Sequence, residues 1–207
     1  MQQHSDLLPT FFCIPDITGF TRLITTADVA FSNEVIPSLL RKMIDCNYLD
    51  MNVGEVEGDA VFFYRTGKLP SVNSVIKQCT LFYQCFHRYI KSIEQSDPEN
   101  YKAHLANGQL GLKIIIHYGN ISTSNIKGRV KLIGEDVIIA HRLLKNSIIQ
   151  NEYILFTNHY LQHIKETALH KLITWDELKY GSENFDFIGE ISYRYCSPPP
   201  LSPASLH

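Results

Sequence analysis

Apolar residues recur in two different rhythms along this chain. Between Phe11 and Ile17 they run almost unbroken, "FFCIPDI", and the run stops at Gly19. A short apolar stretch bounded by a turn residue predicts a buried strand. In "VIPSLLRKMIDCNYL" (35–49), Ile36, Leu39, Leu40, Met43 and Ile44 fall at helical spacing with the charges opposite, which predicts an amphipathic helix. "MNVGEVEGDAVFFYRTG" (51–67) reads as a strand, a tight turn at Gly58-Asp59 and a returning strand. "SVIKQCTLFYQCFHRYIKSIE" (74–94) predicts a longer helix whose stripe Phe82, Phe86, Tyr89 belongs to the core. "GLKIIIHYGNIS" (111–122) and "RVKLIGE" predict strands, "DVIIAHRLLKNS" (136–147) a helix, and "YILFT" a short strand. A helix near 158–169 and a hairpin around Gly189 complete the series. Strand–helix–helix–strand–strand–helix order predicts an α+β fold, one sheet flanked by helices.

The 207 residues suit one domain, assigned to 11–196, with 1–10 as a loose leader and the proline-rich 197–207 as a disordered tail. Hydrophobic residues at 44% and charged residues at 19% describe a globular chain, and a net charge of −2 offers no basic footprint for nucleic acid. No apolar run reaches the roughly 18–20 residues that span a bilayer, and the start lacks a basic secretory region. The expectation is a cytoplasmic protein with no membrane and no nucleic-acid partner. The five cysteines, Cys13, Cys46, Cys79, Cys85 and Cys196, form no C-x-x-C pair and are expected as reduced thiols.

Two carboxylates stand where strands end. Asp16 closes the first strand, and Asp59 sits beside Gly58 in the hairpin turn. If those strands are neighbours, both side chains enter one pocket, and paired aspartates suit Mg²⁺ shared with a nucleoside triphosphate. Each aspartate alone would equally serve as a turn residue. His159 and His163, four apart, have a spacing that can grip zinc, but no third ligand lies near them in the chain and a surface helix explains them. His117 reads as a structural histidine at the end of an apolar strand.

Taken in order, "IPDITGFT", "GEVEGDAVFFY", "IIIHYGN" and "KLIGEDVIIAHRLL" resemble four blocks of class III nucleotidyl cyclase catalytic domains, within an uncharacterised bacterial branch. The resemblance covers nearly all of 11–196. It implies a ferredoxin-like βαββαβ core and a homodimer that converts a nucleoside triphosphate into a 3′,5′-cyclic nucleotide and pyrophosphate. Asp16, Asp59 and the Ile17 carbonyl would hold two divalent cations, Mg²⁺ or Mn²⁺. Thr18, Gly19, Phe20 and Thr21 match the backbone that receives the triphosphate at a helix start, where free N–H groups favour anions. Glu55 and Lys131 fall at the base-binding positions. Arg142 matches the catalytic arginine, which the family supplies from the opposite subunit.

Two positions depart from the family pattern. Ile138 stands where the catalytic asparagine is expected, and Ile188 falls near the phosphate-binding lysine. Neither side chain can donate a hydrogen bond. Two functional readings follow, a cyclase retaining Asp16, Asp59 and Arg142, and a catalytically silent relative that binds nucleotide as a regulatory or dimerisation module.

Overall fold

The computed structural model describes residues 7–201. The chain begins with β1 (Leu8–Thr18), α1 (Phe20–Thr26) and α2 (Val29–Asp45), followed by the hairpin β2 (Asn52–Glu57) and β3 (Ala60–Thr66). Next come α3 (Val72–Ser96), α4 (Pro98–His104) and β4 (Gly111–Ile126). These strands lie side by side as β2-β3-β1-β4, all antiparallel, which is the ferredoxin-like βαββαβ order. β5 (Arg129–Ile133) folds back on the far half of β4, and α5 (Glu135–Arg142) leads to β6 (Tyr153–Thr157), which joins β4 in parallel. After α6 (Asn158–Leu161) and α7 (Glu166–Leu172), the hairpin β7 (Lys179–Phe185) and β8 (Gly189–Cys196) extends the sheet through β8 against β6. The architecture is α+β, a mixed sheet flanked by helices.

Alternation along the central strands separates two cores. Phe11, Cys13 and Ile17 of β1, with Leu112, Ile114 and Ile116 of β4, pack under α2 and α3 beside Leu39, Phe82 and Phe86. Phe12 and Ile14, with Ile115, pack on the other face with Ile139, Ala140 and Leu143. Burying each phenylalanine completely contributes roughly 1.5–3 kcal/mol. Both faces are covered, so these strands read as continuous apolar runs. Asp16 is in phase with Phe12 and Ile14, and Lys113 with Ile115, so both charges fall on the α5 side of the sheet.

Several boundaries differ from those expected. β1 starts at Leu8, paired with Ile121, so residues 8–10 of the expected leader belong to the sheet. Residues 1–6 and 202–207, the rest of the leader and most of the expected tail, lie outside the described residues. α2 starts at Val29 rather than near Val35, because Asp28 caps it by accepting the Ala30 N–H at 2.7 Å. The helix expected near 158–169 is two short helices, the first capped by Thr157.

The reading of five reduced thiols is corrected. Cys46, at the end of α2, is joined to Cys85 of α3 in a disulfide with Cα atoms 6.9 Å apart, while Cys13, Cys79 and Cys196 are free and buried. Local spacing could not show this, because helix packing brings the two together across 39 positions. Among the described residues, no helix is long and apolar enough to cross a membrane.

Candidate active site

Cross-strand register creates the centre of the site. Asp16 lies opposite Ala60 of β3 on one side and opposite Lys113 of β4 on the other. The β2–β3 turn passes through Gly58 at a φ of 59°, and the Asp59 carbonyl accepts the Ile17 N–H at 3.0 Å. That bond fastens the turn to the end of β1 and places the Asp59 carboxyl near enough to Asp16 for each to act on the other's charge.

Asp16 is only 5% exposed. Its Oδ2 meets the Lys113 ammonium at 3.2 Å, and that ammonium also donates to the Leu144 carbonyl at 2.6 Å. Its Oδ1 is buried with no hydrogen-bond partner among the described residues. Burial pushes the Asp16 carboxyl up to about 7; Lys113 opposes the shift and the nearby Asp59 carboxyl adds to it. Burial also raises Asp59. A buried carboxylate with an orphan oxygen beside a second carboxyl is a site short of positive charge. The donor set is hard oxygen, which fits Mg²⁺ or Mn²⁺.

These groups open into a cleft of about 600 Å³, also bordered by Phe20, Thr21, Arg142 and Lys145. Of the four residues expected to receive phosphate, Phe20 and Thr21 line this cleft. Thr18 instead donates its hydroxyl to the Asn151 carbonyl at 2.8 Å. Gly19 has a φ of 80°, and a side chain there would collide with the Gln109 carbonyl oxygen. The turn into α1 therefore needs glycine for conformation and for space. Ile17 is buried.

Arg142 borders the same cleft as Asp16 and Asp59 within a single chain, so the expectation that it must come from an opposite subunit is not required by this geometry. Its guanidinium donates to the Asp186 carbonyl at 3.1 Å and lies 5.7 Å from the Phe185 ring centre. One turn earlier on α5, Ile138 is 50% exposed. Ile188 is partly buried against the second core.

Glu55 and Lys131 are brought together, but against each other. Their charged groups are 3.9 Å apart and border a niche of about 20 Å³, too small for a base. Two participants escaped the sequence reading. His141 Nε2 lies 3.1 Å from Glu55, its Nδ1 lies 3.3 Å from Glu57, and the ring stacks on Phe62 with centres 4.3 Å apart. Glu55, Glu57 and His141 form a three-residue group that could hold a metal ion. Lys113 was the other omission. Its signal was a charge within the apolar run "GLKIIIHYG", since a buried ammonium demands a partner.

α5 is positioned by a second polar cluster. Asp136 accepts the Asn120 N–H at 2.7 Å and contacts His117 Nε2 at 2.9 Å, while His117 Nδ1 meets the Thr157 hydroxyl, also at 2.9 Å. Burial lowers the His117 pKa and so favours the neutral ring, whose N–H at Nε2 suits the Asp136 carboxylate. Gly119 leaves room for Asp136, whose carboxyl occupies the space a Cβ would take. His117 is therefore structural, as expected. His159 and His163 pack against the His117 and Tyr118 rings.

The family described as "Protein of unknown function (DUF2652)" matches residues 36–153, from α2 to the start of β6. The uncharacterised protein Rv2561/Rv2562 of Mycobacterium tuberculosis is 32% identical over 157 residues, which is 76% of this chain and 70% of that protein. Solved structures share the fold at lower identity. The guanylyl cyclase Cya2 superposes with a TM-score of 0.63 at 12% identity, covering 94% of this chain and 95% of that one. The guanylate cyclase domain of RhGC from Catenaria anguillulae, in complex with GTP, gives 0.60 at 16% identity over 93% and 98%. The adenylyl cyclase CyaB from P. aeruginosa gives 0.56 at 16% identity over 93% and 95%. The fold is that of class III nucleotidyl cyclase catalytic domains.

Proposed function

The chain belongs to the DUF2652 family, proteins of unknown function, and we propose that it is a cyclase-like domain that takes a nucleoside triphosphate with divalent cations at Asp16 and Asp59. The observation that carries this reading is the buried, unpartnered Oδ1 of Asp16 beside Asp59 at the base of the cleft. Divalent ions bound there would polarise the α-phosphate and make the ribose 3′-hydroxyl easier to ionise. The reaction is attack of the 3′-oxygen on the α-phosphorus, cleavage of the bond to the β-phosphate and release of pyrophosphate. Lys113, Arg142 and Lys145 bring three positive charges to the cleft wall, where they would neutralise the phosphate chain. Phe20 and Thr21 would border the phosphates, and the Ile17 carbonyl would be a further metal ligand. A homodimer belongs to this reading, because Val53, Val56, Val130, Ile133 and Ile138 expose apolar surface on β2, β5 and α5.

The runner-up is a binding module without turnover. It is supported by Ile138, which offers no hydrogen bond to the ribose, and by the Glu55–Lys131 pair bordering a niche too small for a base. Incubation with each of four nucleoside triphosphates and Mn²⁺, followed by chromatography for cyclic product, separates the readings. Product with any nucleotide, abolished in Arg142→Ala, supports the enzyme. Binding without product from either wild type or Ile138→Asn supports the module.

A further inference from the structure

In the wall of the same cleft, His141 is held between two carboxylates. Glu55 faces its Nε2 at 3.1 Å and Glu57 faces its Nδ1 at 3.3 Å. A neutral imidazole carries one N–H and one lone pair, so it can donate to only one of them. At its other edge, lone pair would face carboxylate oxygen, acceptor against acceptor. A metal ion taken up between the imidazole and a carboxylate would remove that mismatch. Lys131 does not meet the need at Glu57, since it approaches only the Oε2 of Glu55, at 3.9 Å.

We propose that Glu55, Glu57 and His141 form a transition-metal site, separate from the Asp16–Asp59 pair, that takes Zn²⁺. One donor atom from each residue lies within 4.8 Å of the others. The two glutamates come from β2 and the histidine from α5, so a bound ion would tie the hairpin to the helix in the cleft wall. Imidazole with two carboxylates is a zinc-type set, completed to four ligands by water, whereas Mg²⁺ prefers oxygen alone. Phe62 stacks on the ring and fixes its plane, so closing the three donors on one ion requires a partly exposed glutamate side chain to turn toward the nitrogen that the other faces. The side chains are part-exposed, which gives an ion a way in from solvent.

The test is competition for Zn²⁺ between the full chain and a chromophoric chelator, in excess Mg²⁺, without nucleotide. Wild type should take one equivalent. His141→Ala should weaken that equivalent by more than about 100-fold, and Glu57→Gln by at least about tenfold, since even outer-shell changes cost 10–100-fold. Asp16→Asn and His163→Ala should retain it, with circular dichroism confirming that each variant is folded. X-ray absorption of the loaded wild type should show nitrogen and oxygen neighbours, with imidazole scattering lost in His141→Ala. The proposal is overturned if wild type takes up no Zn²⁺, if the equivalent persists in His141→Ala, or if it is lost in Asp16→Asn or His163→Ala. Because no nucleotide is present, these outcomes stand apart from success or failure of the cyclase reading.

Discussion

Two polar clusters lie on the same face of the sheet and have opposite characters. Around Asp136, each polar group has a partner: the carboxylate takes the Asn120 N–H and His117, and His117 is met by the Thr157 hydroxyl. Hydrogen bonds from His117 and Asn120 outweigh burial and hold Asp136 below the usual carboxylate range. Around Asp16, one oxygen has no partner, and burial pushes the carboxyl up to about 7. The first cluster fastens α5 to β4. The second is left incomplete at the base of a cleft, and buried charge without sufficient compensation is what a ligand-binding centre costs the fold.

Breaking the complete cluster should have the largest destabilising effect. Asp136→Ala leaves the buried His117 Nε2 without its partner, with an expected loss of about 1–3 kcal/mol in urea unfolding. The incomplete cluster should respond in the opposite direction. A carboxyl raised from 3.8 to about 7 binds its proton more tightly in the folded than in the unfolded state. The folded protein is then favoured at low pH, and that advantage disappears as pH rises through about 4 to 7. In chelator-treated protein, Asp16→Asn should remove this decline and gain up to about 4 kcal/mol at pH 8. Asp136 and His117 have lowered pKa values, so their contribution is lost as pH falls and has the opposite slope.

Sharper tests concern chemistry. If the domain turns over, Ile138→Asn should raise kcat by about 10²-fold with little change in KM, because a positioning donor acts mainly in the transition state. Mixing Asp59→Ala with Arg142→Ala subunits should restore activity only if a site draws on two chains; no recovery would favour a site built within the one cleft that Asp16, Asp59 and Arg142 all border. The smallest expected effect is at the Glu55–Lys131 pair. Glu55→Lys should reorder nucleotide preference in a competition assay, and an unchanged order would mean that Glu55 serves its contacts with Lys131 and His141 rather than a base.

The same comparison explains how much could be read from the chain. Asp16, Asp59 and the ordered blocks were legible because strand ends and glycine turns are local patterns. Partnership was not, because register decides it. Lys113 meets Asp16 only because β1 and β4 align at those residues, and His141 meets Glu55 and Glu57 only because α5 packs beside β2. Cys46 and Cys85 were misread for the same reason, helix packing having no signature in their spacing. Arg142 was assigned to an opposite subunit by family resemblance, and in this chain it borders the cleft that also holds Asp16 and Asp59, its guanidinium engaged with Asp186 and Phe185.

The central claim is that the incomplete cluster is completed by a divalent cation and a nucleotide. Calorimetric titration of Mn²⁺ with a non-cyclisable triphosphate analogue tests it most directly, using wild type, Asp16→Asn, Asp59→Ala and His141→Ala. Nucleotide-dependent Mn²⁺ binding should appear in wild type and His141→Ala and be lost in both aspartate variants. Binding that survives unchanged in Asp16→Asn and Asp59→Ala would contradict the account.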